Sequence, residues 1–258
     1  MTALSKRSLK VLHTADIHLD SDSYGTAEQR QTHRATFRRC FEAIIDRALA
    51  EAVDLVLIAG DLFDHNRVPA ETVQFAQEQL QRLQHPVVIL PGNHDCLYTN
   101  AIFDRYDIAA GCKNIHVITA LNGQVIELPE LDMVLWGRAM EEHEPGFQPL
   151  AHLPTRYDQR WHIAMAHGFF YATPQEPERS SPIFAEEIRD TGWDYVALGH
   201  QHVLTNVSQG QVTAYYSGAP LLHWSGAQPN GHVLLLDMSP EHGIQVRPQR
   251  VFEPAAGR

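Results

Sequence analysis

Five times along this chain a short apolar run ends abruptly in residues that carry chemistry. Leu9-Lys10-Val11-Leu12-His13-Thr14-Ala15 leads into Asp16-Ile17-His18, and Leu55-Val56-Leu57-Ile58-Ala59-Gly60 leads into Asp61-Leu62-Phe63-Asp64. Pro86-Val87-Val88-Ile89-Leu90-Pro91-Gly92 delivers Asn93-His94-Asp95, His162-Ile163-Ala164-Met165-Ala166 delivers His167-Gly168, and Tyr195-Val196-Ala197-Leu198-Gly199 delivers His200-Gln201-His202. Short apolar runs of this kind read as buried strands. A glycine at the end of a run, such as Gly60, lets the backbone turn sharply there. Open α/β sheets hold their ligands beyond the carboxyl ends of the strands, where these polar clusters would lie.

The segments between the runs fit that picture. Residues 27–51 have a helical pattern in which Phe37, Phe41, Ile44, Ile45, Ala48 and Leu49 should face the core. Arg30, Arg34 and Arg38 lie one turn apart on another face, either as a solvated stripe or as a patch that steers phosphates. Pro69 suits the first turn of a second helix, whose buried stripe is Val73, Ala76, Leu80 and Leu83. Successive strand–site–helix units imply a mostly parallel sheet. Residues 115–118, 124–128 and 132–137 read as short strands of a hairpin-like second layer. Residues 141–160 read as loop, 169–182 as a surface insertion beside His167, and 183–190 as a short helix. Strands are expected at 212–216, 232–237 and 244–247, with a strand end and frayed tail from Pro248 onward. No internal repeat, low-complexity tract or linker divides the 258 residues, so residues 1–258 are expected to form a single domain.

Composition excludes some functions. The formal net charge of −11 leaves no global basic field for gripping nucleic acid, only local patches. Cys40, Cys96 and Cys112 show no metal or redox spacing and suggest reduced thiols. The basic start lacks an apolar segment of leader type, and no apolar stretch approaches membrane-spanning length. A cytoplasmic protein without a membrane partner is expected. Cys96 is expected to be a small buried hydrophobe and His13 structural. Asp95 should be a turn or cap residue, and His65 either a loop residue or a substrate contact.

Asp16, His18, Asp61, Asn93, His167, His200 and His202 are all oxygen or nitrogen donors. Such a set suits Mn²⁺, Fe²⁺ or Zn²⁺ rather than a structural zinc–cysteine site. Asp-x-His and His-x-His place alternate side chains on one side of an extended backbone, so both members can reach one cluster. A single such motif is weak. Five in succession, each after an apolar run, point to a metal site.

The order Asp-x-His, Gly-Asp-x-x-Asp, Gly-Asn-His-Asp, His-Gly and Gly-His-x-His resembles the calcineurin-like metallophosphoesterase superfamily, over about residues 9–237. The resemblance implies an α/β fold of two mixed sheets flanked by helices, a four-layer α/β/β/α sandwich. It implies two divalent metal ions, manganese first among the alternatives. Asp16, His18, Asp61 and His202 would hold one metal, and Asp61, Asn93, His167 and His200 the other, with Asp61 bridging. A hydroxide shared by the metals would attack phosphorus. His94 would be the general acid, its pKa raised by the carboxylate of Asp64. Asn93 contributes a neutral oxygen where an anionic substrate must bind.

Within the superfamily, Thr14-Ala15-Asp16-Ile17-His18-Leu19-Asp20 and Gly60-Asp61-Leu62-Phe63-Asp64 look most like the SbcD-like DNA repair exonuclease branch. That branch implies a phosphodiesterase acting on nucleic acid ends. The alternative is a small-molecule phosphoesterase acting on nucleotides, cyclic nucleotides or other organic phosphodiesters. Lipid-A-precursor pyrophosphatases are similar but place arginine where His94 stands. Non-catalytic scaffolds on this fold typically lose ligands, whereas every expected ligand is present here. Substrate contacts are expected from His65, His223 and Trp224, the last two beside the turn at 217–220. Substrate choice should lie there and in residues 169–182.

Overall fold

The strands come first because they aim the site. In chain order they are β1 (Leu9–Thr14), β2 (Leu55–Ala59), β3 (Val87–Leu90), β4 (Ile115–Val117), β5 (Gln124–Leu128), β6 (Met133–Gly137) and β7 (Trp161–His167). There follow β8 (Phe169–Tyr171), β9 (Pro182–Phe184), β10 (Tyr195–Gly199), β11 (Thr205–Asn206), β12 (Thr213–Tyr216), β13 (His232–Ser239) and β14 (Gly243–Arg250). The helices are α1 (Ala27–Ala50), α2 (Ala70–Leu80), α3 (Ile102–Arg105) and α4 (Ala185–Asp190). These coordinates are a computed structural model, and they describe residues 6–21, 26–144, 146–173, 177, 179–221 and 231–252.

Two six-stranded mixed sheets result. The first runs β14-β13-β1-β2-β3-β4 and the second β11-β12-β10-β7-β6-β5. In the first, β1 to β4 pair in parallel and β13 and β14 antiparallel. In the second, β6, β7, β10 and β12 are parallel, with β5 and β11 antiparallel at the edges.

Alternation along each strand explains the layering. Leu55 and Leu57 join Ile163 and Met165 in the core between the sheets, while Val56 and Ile58 pack with Phe41 and Ile44 of α1. On the far side of the second sheet, Ala164 and Val196 pack against Ile188 of α4 and Trp193. The expected layers are present, but the outer layer over the second sheet is mostly loop. Among the described residues it contains one six-residue helix.

Thr26 caps α1 in a reciprocal box with Gln29, which sets the helix start. Leu49 is 42% exposed, so it lies outside the expected buried stripe. Pro69 is the N-cap of α2 rather than its first residue. The segment expected at 115–118 does not join the second layer. As β4 it pairs with β3 at the edge of the first sheet, and the hairpin is β5 with β6 alone. Part of the insertion at 169–182 is ordered as a short parallel pair, β8 with β9. Strand β14 runs through Pro248 to Arg250, a little beyond the expected strand end. No described helix is long and apolar enough to cross a membrane.

Candidate metal centre

The loops after β1 and β2 run side by side. The Asp16 N–H donates to the Gly60 carbonyl at 3.0 Å, and those of Ile17 and His18 both donate to the Asp61 carbonyl at 2.9 and 3.0 Å. To make these contacts the backbone adopts left-handed conformations at Asp16 (φ 55°), His18 (φ 53°), Asp61 (φ 54°) and His200 (φ 101°). Non-glycine residues pay roughly 1–3 kcal/mol for such conformations, and four of them stand at strand ends of the site. Two glycines are needed for a different reason. A Cβ on Gly60 would stand 1.9 Å from the His167 ring, and one on Gly92 would stand 2.2 Å from the Asp61 carboxylate.

The side chains these loops present converge on Asp61. Its Oδ2 lies 3.8 Å from His18 Nε2 on one side and 3.3 Å from His167 Nε2 on the other. Its Oδ1 accepts the His94 N–H at 2.9 Å. The His18 and His202 Nε2 atoms face each other at 3.3 Å. Both carboxylate oxygens of Asp16 accept the His200 N–H, at 3.0 and 3.1 Å, and Oδ1 lies 3.9 Å from His202 Nε2. Asn93 Oδ1 receives His167 Nε2 at 3.0 Å and His200 Nδ1 at 2.9 Å. All seven donors expected from the sequence therefore meet in one crevice, three sites from the first sheet facing two from the second.

A family model described as calcineurin-like phosphoesterase matches residues 9–204. The chain belongs to the calcineurin-like phosphoesterase family. The metallophosphoesterase YhaO of Bacillus subtilis, itself uncharacterized, is 27% identical over 220 residues, covering 81% of this chain and 52% of that protein. The SbcD component of the SbcCD nuclease, from the same organism, is 26% identical over 273 residues, covering 90% of this chain and 67% of that one. This chain thus spans about half to two thirds of these relatives' length. The structure of TT1561 from Thermus thermophilus shares the fold, with a TM-score of 0.61 at 9% identity over 95% of this chain and 100% of that one.

The donors of this phosphoesterase fit divalent metal. Asp16, His18 and His202 offer ligand atoms within 4.8 Å of one another, as do Asp16, Asp61 and His167. Among the described residues no lysine or arginine pairs with the buried Asp16 or Asp61, so their charge must be balanced by histidines or by a bound cation. His167 is oriented for ligation. Its Nδ1–H donates to the Ala59 carbonyl at 2.9 Å, which leaves Nε2 directed at Asp61 and Asn93.

The electrostatics of the metal-free crevice follow from that arrangement. Burial disfavours the charged form of His167, but Asp61 and then Asp16 outweigh it and push its pKa up to about 9. Burial likewise works against an ionised Asp61, yet His167, His18 and His94 hold it below the usual carboxylate range. Asp16 is raised to about 6, chiefly by burial, with the negative charge of Asp61 adding to it. His18 is raised despite burial, through Asp64, Asp61 and Asp16. Burial and the neighbouring His167 lower His200 to about 3. In the absence of metal, His167 carries much of the positive charge that the two aspartates require.

His94 is exposed at the mouth of the crevice, and its ring stands edge-on to His18 with centroids 4.6 Å apart. The expected charge pair takes another form. The His94 Nδ1–H donates to the main-chain carbonyl of Asp64 at 2.6 Å, while the Asp64 carboxylate lies 3.1 Å from His18 Nδ1. The left-handed turn at His18 brings that imidazole close enough to take the carboxylate first. His65 is half-buried and accepts the Arg67 N–H within its own turn, at 3.1 Å. His223 and Trp224 lie outside the described residues.

Asp95 is fully buried and ties two site loops together, accepting the Gly92 N–H at 2.7 Å and the Phe63 N–H at 3.1 Å. Cys96 is buried beside Met140 and Phe147, as a small hydrophobe would be. In the arginine stripe, Arg34 pairs with Asp20 and Arg38 with Glu71. Sequence reasoning passed over His143, whose ring lies 5.7 Å from that of His200, and gave no individual role to Phe169, at 6.5 Å from the same ring. His143 follows no apolar run and belongs to no motif, so nothing in the sequence marked it.

Proposed function

We propose that this phosphoesterase is a divalent-metal-dependent phosphodiesterase of nuclease-like lineage that works with two metal ions. The observation that carries the proposal is the position of Asp61, whose Oδ2 is shared between the His18 side and the His167 side of the crevice. In this reading Asp16, His18 and His202 complete one site with Asp61, and Asn93, His167 and His200 complete the other. A pair of divalent cations held there, manganese being the first candidate, supplies an activated water and Lewis-acid stabilisation of the phosphoryl oxygens. Asn93 adds an oxygen without charge, which limits repulsion of an anionic substrate.

His94 is the general acid in this scheme. Its Nδ1–H is engaged by the Asp64 carbonyl, so the ring is held and the proton for the leaving oxygen is carried at Nε2. Asp64 serves His94 through its main chain and steadies His18 through its carboxylate. The lineage rests on the similarity to the SbcD component of the SbcCD nuclease over 90% of this chain. The second reading, a small-molecule phosphoesterase, is favoured by the net charge of −11.

One panel tests both. Mn²⁺-loaded protein is assayed on bis(p-nitrophenyl) phosphate, p-nitrophenyl phosphate, cyclic nucleotides, and single- and double-stranded DNA. Diester hydrolysis together with DNA cleavage is expected. His94→Ala should keep its metal and lose about 10²–10⁴-fold in turnover on substrates with poor leaving groups. Diester hydrolysis with intact DNA selects the small-molecule reading, and absence of diester hydrolysis overturns the proposal.

A further inference from the structure

The side of the crevice bordered by His200 has an aromatic wall that ligand chemistry does not require. His143 and Phe169 both stand against the His200 ring, with centroids at 5.7 and 6.5 Å and interplanar angles of 64° and 82°. They come from separate elements, the loop between β6 and β7 and the start of β8. The loop is held on both sides of His143. The Leu97 N–H donates to the Met140 carbonyl at 2.8 Å, and Met140 and Phe147 pack together with Cys96. Phe169 is held in register, since its N–H donates to the Ser181 carbonyl at 2.9 Å.

The wall also has a cation. The Arg179 guanidinium lies 5.7 Å from the centre of the Phe169 ring, and the Arg179 N–H donates to the Tyr171 hydroxyl at 2.8 Å. His143 and Arg179 are exposed and Phe169 is half-buried. Phe169 packs edge-on against the buried Tyr171 at 5.3 Å, yet it and His143 still present surface beside a candidate metal ligand. The combination of an exposed imidazole, a phenyl ring and a guanidinium is the surface on which unstacked nucleobases are held, by stacking and by cation–π attraction.

We propose that His143, Phe169 and Arg179 form a nucleobase subsite that receives the base adjoining the scissile phosphate. The inference rests on the phosphodiesterase reading and narrows its substrates to nucleotide-containing diesters, whether a nucleic acid strand end or a free nucleotide. The subsite is sequence-tolerant, because every base offers a flat face. It is also local, so it works without a basic surface over the rest of the protein.

The test separates the subsite from the chemistry. Equilibrium binding of thymidine 5′-monophosphate and of methyl phosphate to Mn²⁺-loaded protein is measured by calorimetry, which requires no turnover. The wild type should prefer the nucleotide, and Phe169→Leu should reduce that preference about 10-fold, the loss expected for one base–aromatic stack. Phe169→Tyr should restore it, which a merely structural role for the ring would not predict if Leu folds equally well. His143→Ala should reduce the preference by a smaller factor. Equal binding of the two ligands by the wild type, or a preference unchanged in Phe169→Leu, overturns the subsite. Hydrolysis of methyl p-nitrophenyl phosphate by the wild type reports on the phosphodiesterase reading alone. A protein that hydrolyses this diester without preferring the nucleotide retains that reading and loses the subsite. A protein that prefers the nucleotide without hydrolysing the diester retains the subsite and loses the reading.

Discussion

The two sheets bring opposite things to the crevice. The first supplies all the carboxylates, Asp16, Asp61 and Asp64, together with His18, Asn93 and His94, on loops whose backbone is left-handed at Asp16, His18 and Asp61. The second supplies imidazoles, His167, His200 and His202, and the aromatic wall beyond them. Neither half is a site by itself. The first holds Asp16 and Asp61 buried with no lysine or arginine beside them among the described residues, and the second holds His167, whose protonation depends on that charge. They are joined directly at the site, by the Ala59 carbonyl receiving His167 and the Asp16 carboxylate receiving the His200 N–H. The chemistry is therefore as sensitive to how the sheets dock as to the ligands themselves.

The largest effect is expected where the two halves share an atom. Asp61→Asn removes the charge that both histidine groups face, while nearly preserving shape. Bound metal, measured by elemental analysis of the purified protein, should fall below two ions per chain. Diesterase activity should drop on the order of 10³-fold, since preorganised electrostatics dominate such sites. Two ions per chain in Asp61→Asn would mean that the two metal sites fill independently and that Asp61 is not shared.

Next is the docking itself. A Cβ on Gly199 would stand 1.9 Å from the Ala59 carbonyl of the opposite sheet. Gly199→Ala must push the sheets apart at the crevice, and overpacking of this kind costs about 2–3 kcal/mol. Urea unfolding of metal-free protein should show that loss, and metal affinity should fall with it. Gly146→Ala, where a Cβ meets nothing within 4 Å, should change stability by less than about 0.5 kcal/mol. If the Gly199 variant lost metal affinity without losing stability, the contact would be a feature of the site alone.

The same division explains what could be read in the sequence. Every ligand-type residue at a strand end was legible, because a buried strand is an uninterrupted apolar run and its end is marked by the first polar residue. The sheet partner of a short strand was not. Ile115–Val117 carries no sign of which layer it joins, since that depends on whether β3 or β5 offers a free edge. The full set of contacts made by Asp64 was not legible for a related reason. The resemblance pairs it with His94, whose ring nitrogen does lie within 4.8 Å of the carboxylate, but the left-handed turn at His18 brings a second imidazole to the same carboxylate. His143 was invisible because it lies in a loop with no periodicity, placed by tertiary contacts from Leu97 and Cys96.

The smallest effect compares one histidine from each sheet and concerns pH. His13 of β1 is buried between the sheets and shares a 3.0 Å hydrogen bond with the Tyr195 hydroxyl of β10; burial lowers its pKa from 6.5 to about 3. Between those values the unfolded chain binds a proton that the native protein does not. Stability from His13 is therefore complete above pH 6.5 and lost as pH falls below it. His167 of β7 has the opposite sign. Its pKa rises from 6.5 to about 9, so its contribution is complete below 6.5 and lost as pH climbs towards 9. From these two groups, metal-free protein should be most stable near pH 6.5, with limbs no steeper than about 1.4 kcal/mol per pH unit per proton. Urea midpoints from about pH 5 to 9 in the presence of chelator measure both limbs. His13→Phe should flatten the acid limb only, at a cost of about 1–2 kcal/mol at pH 7 for the stranded tyrosine hydroxyl. His167→Gln should lower the alkaline limb only, leaving the part that His18 contributes. Saturation with metal should also remove the alkaline limb, because ligation takes the place of the proton on Nε2. An alkaline limb left at full height by both changes would show that the charge balancing Asp61 comes from His18 on the first sheet rather than from His167.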